Sequence, residues 1–138
     1  MAIGEWAVLL TGDSGSGKSD LTLRLIDRGA LLIGDDQVLI DDQLTVRPHP
    51  ALAGKLEVRG IGIATKKHVE AATLRLIIKL GEDGERMPSS WSQSDLLGWS
   101  VSSLRLSAFA ASAPIKVEHA LQSIIDEGLV PVRLLRST

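Results

Sequence analysis

Gly12-Asp13-Ser14-Gly15-Ser16-Gly17-Lys18-Ser19 is the stretch on which the reading of this 138-residue chain turns. It fills every fixed position of the G-x-x-x-x-G-K-[ST] phosphate-binding pattern. Such a match arises by chance in under about 1% of chains of this length. Its flanks give it meaning. Trp6-Ala7-Val8-Leu9-Leu10-Thr11 reads as a strand running into the loop, and Leu21, Leu25 and Ile26 mark one side of a helix running out of it. Glycines let the backbone wrap an anion, successive N–H groups point inward, and the helix N-terminus adds partial positive charge. In this reading Gly12, Asp13, Ser14, Gly15, Ser16, Gly17, Lys18 and Ser19 bind the phosphates of a nucleotide. Lys18 reaches the β- and γ-phosphates, and the Ser19 hydroxyl ligates Mg²⁺.

Outward from the loop, Arg28-Gly29 ends the helix and residues 30–34, Ala-Leu-Leu-Ile-Gly, read as a short apolar strand. Strand, helix and strand form a βαβ unit with a right-handed crossover. Residues 37–40 and 44–47 flank Asp41-Asp42-Gln43 as an antiparallel hairpin. Pro48 and Pro50 open a loop around His49. Residues 56–59 and 72–80 read as strands, 85–98 as irregular, and 99–109 as a further strand. After Ser112 and Pro114, Val117, Leu121, Ile124 and Ile125 share one face of a helix that Gly128 ends. The expected fold is α/β: a P-loop βαβ nucleotide-binding core in a mixed sheet, with additional antiparallel strands and a C-terminal helix. No linker or repeat interrupts it, so residues 1–138 are read as one domain.

Composition narrows the function. The formal net charge is -2 with both signs interspersed, which lacks the basic field that drives nucleic-acid binding. Cysteine is absent, so disulfides and thiolate metal sites are excluded. His49, His68 and His119 have no ligand spacing. No apolar run approaches a membrane span and no signal peptide is visible, so no membrane partner is expected and the cytoplasm is the expected location.

The remaining question is what the gripped nucleotide is for. Phosphoryl transfer needs carboxylates for the metal and for the attacking hydroxyl. Asp35 and Asp36 stand at the end of the 30–34 stretch and, as neighbours, point to opposite faces, so one serves the metal and the other the acceptor. Glu57 and Arg59 are two apart on a strand, hence on one face. A carboxylate there can meet Mg²⁺ and a guanidinium can offset phosphoryl charge. Gly60-Ile61-Gly62 suggests close approach of the backbone to something.

These segments taken together, Gly-Asp-Ser-Gly-Ser-Gly-Lys-Ser-Asp, Leu-Ile-Gly-Asp-Asp-Gln-Val and Leu-Glu-Val-Arg-Gly-Ile-Gly-Ile, resemble the catalytic domain of HPr kinase/phosphorylase. The likeness runs from about residue 7 to 63 and, more faintly, to the helix near Glu127. It is to the short single-domain form. The resemblance implies ATP- and Mg²⁺-dependent phosphorylation of a serine on HPr or an HPr-like carrier, with a phosphate-dependent reverse reaction. It implies Lys18 and Asp36 as catalytic, Asp36 being the base forward and the acid in reverse. It further implies Glu57 as an Mg²⁺ ligand beside Ser19 and Asp35, residues 56–65 as the catalytic signature, and Arg86 as a catalytic arginine. A homo-oligomer is implied too, with a hexamer as the form to look for.

Two departures bear on the expectation. The chain opens Met1-Ala2-Ile3-Gly4 without the family's upstream histidine, and residues 103–107 lack the Gly-Arg-Asn ending of a loop linked to phosphorylase activity. The kinase direction is therefore better supported than the reverse. The alternatives are an ATP-binding sensor without transferase activity and a small-molecule kinase. The latter needs clustered lid arginines, which Arg105, Arg133 and Arg136 do not form in sequence. A guanine-specific Asn-Lys-x-Asp motif is excluded because the chain has no asparagine.

Overall fold

The computed structural model describes residues 1–81 and 91–134. Its elements in order are β1 (Ala2–Ile3), β2 (Trp6–Thr11), α1 (Lys18–Asp27), β3 (Val38–Ile40), β4 (Thr45–Pro48), β5 (Lys55–Val58) and β6 (Gly62–Thr65). They continue as β7 (Ala72–Leu80), β8 (Ser92–Leu96), β9 (Trp99–Leu106), α2 (Ala113–Asp126) and β10 (Val132–Arg133).

β7 is the axis of the sheet. It pairs in parallel with β2 on one edge and with β9 on the other, where its first residues also meet β4 antiparallel. Its sequence, Ala-Thr-Leu-Arg-Leu-Ile-Ile-Lys-Leu, is the near-continuous apolar run that a strand covered on both faces requires. Leu76, Ile78 and Leu80 join Val8, Leu21, Leu25, Val117, Leu121 and Ile124 in a core between the sheet and the two helices. Ile77 turns the other way, toward Ile33, Leu44, Val46 and Val101. The helices are tied by Arg28 Nε, which donates to Glu118 Oε1 at 2.6 Å.

The mixed sheet with its antiparallel additions and C-terminal helix is as expected, but the partner of β2 is not residues 30–34. That stretch makes only isolated bridges, Leu31 to Ala2 and Leu32 to His68. The reason is an occupied edge. β1 folds back on β2, pairing Ala2 with Ala7 and Ile3 with Trp6, while β7 takes the opposite edge. The βαβ core is thus β2, α1 and β7, and its crossover contains two hairpins. One is the expected β3–β4, closed by Asp41 Oδ1 accepting from the N–H groups of Gln43 and Thr45 at 2.9 Å each. The other is β5–β6. Within the stretch expected to be irregular, β8 pairs with β9. At α2, Ser112 occupies the N-cap position without a side-chain capping bond, and Pro114 lies in the first turn.

Candidate phosphate-binding and transfer site

The loop between β2 and α1 has the geometry its glycines permit. Gly12, Gly15 and Gly17 all have positive φ. Gly17, at φ 94, is the N-cap of α1, and Leu21 N–H already bonds back to its carbonyl at 2.9 Å. A Cβ on Gly17 would also sit 2.8 Å from Ala108 Cβ, so glycine is required there twice over. The Lys18 ammonium lies folded onto the loop, donating to the Gly12 carbonyl at 2.6 Å.

Asp35 and Asp36 reach the loop through a tight bend. A Cβ on Gly34 would meet Gln37 O at 2.5 Å, so only glycine lets the chain double back there. Before the bend, Leu32 and Ile33 are fully buried and fix the segment against the sheet. After it, Asp35 is half-buried and holds two partners. Its Oδ1 accepts from Ser19 Oγ at 2.6 Å and its Oδ2 from the Glu57 N–H at 3.0 Å. One carboxylate thereby joins the phosphate-loop helix to β5. Asp36 is exposed and faces the cleft instead. The two neighbours do point apart, though through a bend rather than through strand alternation.

The cleft has a volume of about 650 Å³. The loop, Lys18, Ser19, Asp36, Glu57, Arg59 and Phe109 line it. In β5, fully buried Leu56 anchors the strand while Glu57 on the other face looks into the cleft, with Arg59 just past the strand's end. Gly60 and Gly62 have open space where a Cβ would go, so they serve the positive-φ turn of the hairpin and not a close backbone approach. Among charged residues lining the cleft, Asp13, Asp20, Asp36 and Glu57 face Lys18 and Arg59. This excess of carboxylate would repel an incoming polyphosphate unless a cation came with it. Among the described residues no three His, Cys, Asp or Glu side chains form a closed metal site. The donors present are hard oxygens on one rim, which suits Mg²⁺ bound jointly by one or two carboxylates and the substrate's phosphates.

A second, smaller cavity of about 80 Å³ lies behind Lys18 and beneath Asp35, with Met1 in its wall. Burial pushes the Met1 ammonium down to about 5. It donates to the Val8 carbonyl at 3.1 Å.

Residues 12–19, Asp35, Asp36 and Glu57 are therefore brought together. Arg86 lies outside the described residues. Sequence reasoning passed over one residue at the cleft and one that supports it. Phe109, on the loop after β9, lines it, and Arg24 on α1 bonds to the backbone of that same loop. The available signal was compositional, since Phe109 is the only phenylalanine in a chain that is 3% aromatic.

Residues 1–133 match the family described as HPr Serine kinase C-terminal domain. The chain belongs to that family. Relatives named HPr kinase/phosphorylase, from Burkholderia cenocepacia (strain HI2424) and Paraburkholderia phymatum among others, are 39% identical. Each alignment covers 86% of this chain and 42% of the relative, so the chain spans about two fifths of the length of the curated relatives it matches. The Hpr(Ser) kinase/phosphatase structure from Coxiella burnetii superposes with a TM-score of 0.75 at 26% identity. That match covers 92% of this chain and 88% of that one. The family's fold is therefore this chain's fold. No helix among the described residues is long and apolar enough to cross a membrane.

Proposed function

We propose that this chain is an ATP- and Mg²⁺-dependent serine kinase acting on HPr or an HPr-like phosphocarrier, with residues 1–138 as one catalytic domain. The observation that carries the reading is the convergence of the phosphate loop with Asp36, Glu57 and Arg59 on one cleft, the loop's helix being tied to β5 through Asp35. The loop N–H groups and Lys18 hold the β- and γ-phosphates, the ammonium exchanging the Gly12 carbonyl for phosphate oxygen. Ser19, Asp35 and Glu57 supply the oxygens that would hold Mg²⁺. When bound, the ion offsets the charge on the β- and γ-oxygens. Asp36, exposed at the mouth, takes the proton of the acceptor serine as its Oγ bonds to the γ-phosphorus and the bond to the β-phosphate oxygen breaks. Arg59 offsets charge on the transferring group. ADP and the phosphoserine carrier are the products. The setting we propose is the cytoplasm, with a homo-oligomer as the working form.

The test is incubation with ATP, Mg²⁺ and purified HPr, followed by mass spectrometry of the carrier's serines. A phosphoserine that depends on Lys18 and Asp36 is expected. ATP binding without any transfer would overturn the kinase and leave an ATP-binding sensor.

A further inference from the structure

We propose that the Phe109 ring is the platform on which the nucleotide's purine base stacks, and that Arg24 is the positioning residue that fixes it there. The inference deepens the nucleotide reading of the cleft and rests on it. Phe109 is 72% exposed, although a phenylalanine side chain normally gains by leaving water. Its surroundings are nonetheless fixed. Ala108 beside it is completely buried, and the Phe109 N–H donates to Ser107 Oγ at 3.3 Å. Arg24 reaches across from α1, donating through Nη1 to the Ala110 carbonyl at 3.1 Å and through Nη2 to the Ala108 carbonyl. Asp20 closes an ion pair with Arg24 at 3.0 Å. The guanidinium thus grips the backbone on both sides of Phe109 while leaving the ring bare.

The place of the ring narrows the ligand group. A Cβ built on Gly17 would lie 3.3 Å from Phe109 Cε1, so the ring edge rests on the phosphate loop where α1 begins. It lines the same cleft as Asp13, Ser14, Gly15 and Lys18. The transferring end of the nucleotide is set by a different segment, Asp35 on Ser19 with Asp36 beside it. In this assignment the ring on the loop after β9, resting on Gly17, takes the part of the nucleotide leading away from the transferred phosphate. An apolar face there suits an aromatic base, and stacking of this kind does not discriminate between bases.

Isothermal titration of the Mg²⁺-containing protein with ADP and with tripolyphosphate, which lacks a base, separates the terms. Phe109→Ala is expected to weaken ADP about tenfold while tripolyphosphate stays within about twofold, and Phe109→Tyr to restore ADP. Arg24→Lys, which keeps the charge but loses the two-carbonyl grip, should show the same split in weaker form. Unchanged ADP affinity in Phe109→Ala would overturn the proposal. So would an equal loss for tripolyphosphate, which would make the ring part of the loop's scaffold. Impaired HPr phosphorylation with ADP affinity intact would instead assign the ring to the acceptor protein. If the wild type binds neither ligand, the nucleotide reading fails first. If it binds tripolyphosphate but ADP no more tightly, only the base platform fails.

Discussion

The phosphate loop and the segment of residues 30–36 lie side by side but are held in place by different means. The loop is held by its own residues: three positive-φ glycines, a helix N-terminus, and a lysine bonded to a carbonyl six residues back. Residues 30–36 have little internal structure. They are pinned by single bridges to Ala2 and His68, by burial of Leu32 and Ile33, and by the two bonds that Asp35 makes to Ser19 and Glu57. One half of the site is local, and the other exists only once distant parts of the chain are assembled. Phosphate binding should therefore tolerate damage that transfer does not.

The largest effects should fall on transfer, in both halves. Lys18→Ala is expected to lower transfer about 10³-fold and to weaken tripolyphosphate binding as well, measured by single-turnover phosphorylation and calorimetry. Asp36→Asn should lower transfer about 10²- to 10⁴-fold with ATP affinity and melting temperature nearly unchanged, because the residue is exposed. A comparable loss of ATP binding would erase the division between the two halves. Gly17→Ala forces a Cβ into Ala108 at an unfavourable φ, and should cost about 2–3 kcal/mol in a urea melt. Asp35→Asn leaves the shape but removes a charged acceptor from Ser19 and Glu57. It should cost about 1–2 kcal/mol and raise the Mg²⁺ concentration needed for half-maximal transfer. If stability falls but the Mg²⁺ requirement does not move, Asp35 only joins the halves and is no ligand. A separate effect is one of pH on the 138-residue polypeptide. Its Met1 amine is held at about 5 when folded against the ordinary 8.0 of a free amine. Between these values the unfolded chain binds a proton that the folded chain excludes, so melting temperature should climb from pH 5 to 8 and then level off. Amine acetylation should flatten that slope.

The same division explains what could be read from sequence. The phosphate loop, the hairpin around Asp41 and α2 are set by spacing within a dozen residues, and each lies where the sequence places it. Residues 30–34 have a strand's composition, yet the edge of β2 they would pair with belongs to β1, a fact no local window contains. The divergence of Asp35 and Asp36 was anticipated from strand alternation, whereas the Gly34 bend and the Ser19 contact produce it. Glu57 and Arg59 were placed on one face by their spacing, and both line the cleft. Phe109 looked like the end of a strand because its significance comes from Gly17 and Arg24, more than eighty residues earlier.

The pairing of β2 with β7 has a kinetic consequence. Thr11 Oγ1 donates to the Ile78 carbonyl across 67 residues of chain, and the whole crossover lies between. Contacts that distant form late, after a large loop has closed. α1 can coil early, but Asp35, Asp36 and Glu57 are carried on the closing loop itself. In a refolding time course, helical signal should therefore precede nucleotide affinity, with that affinity appearing in the same phase as sheet formation. Simultaneous growth of helix and affinity would show that the phosphate loop organises without its neighbours.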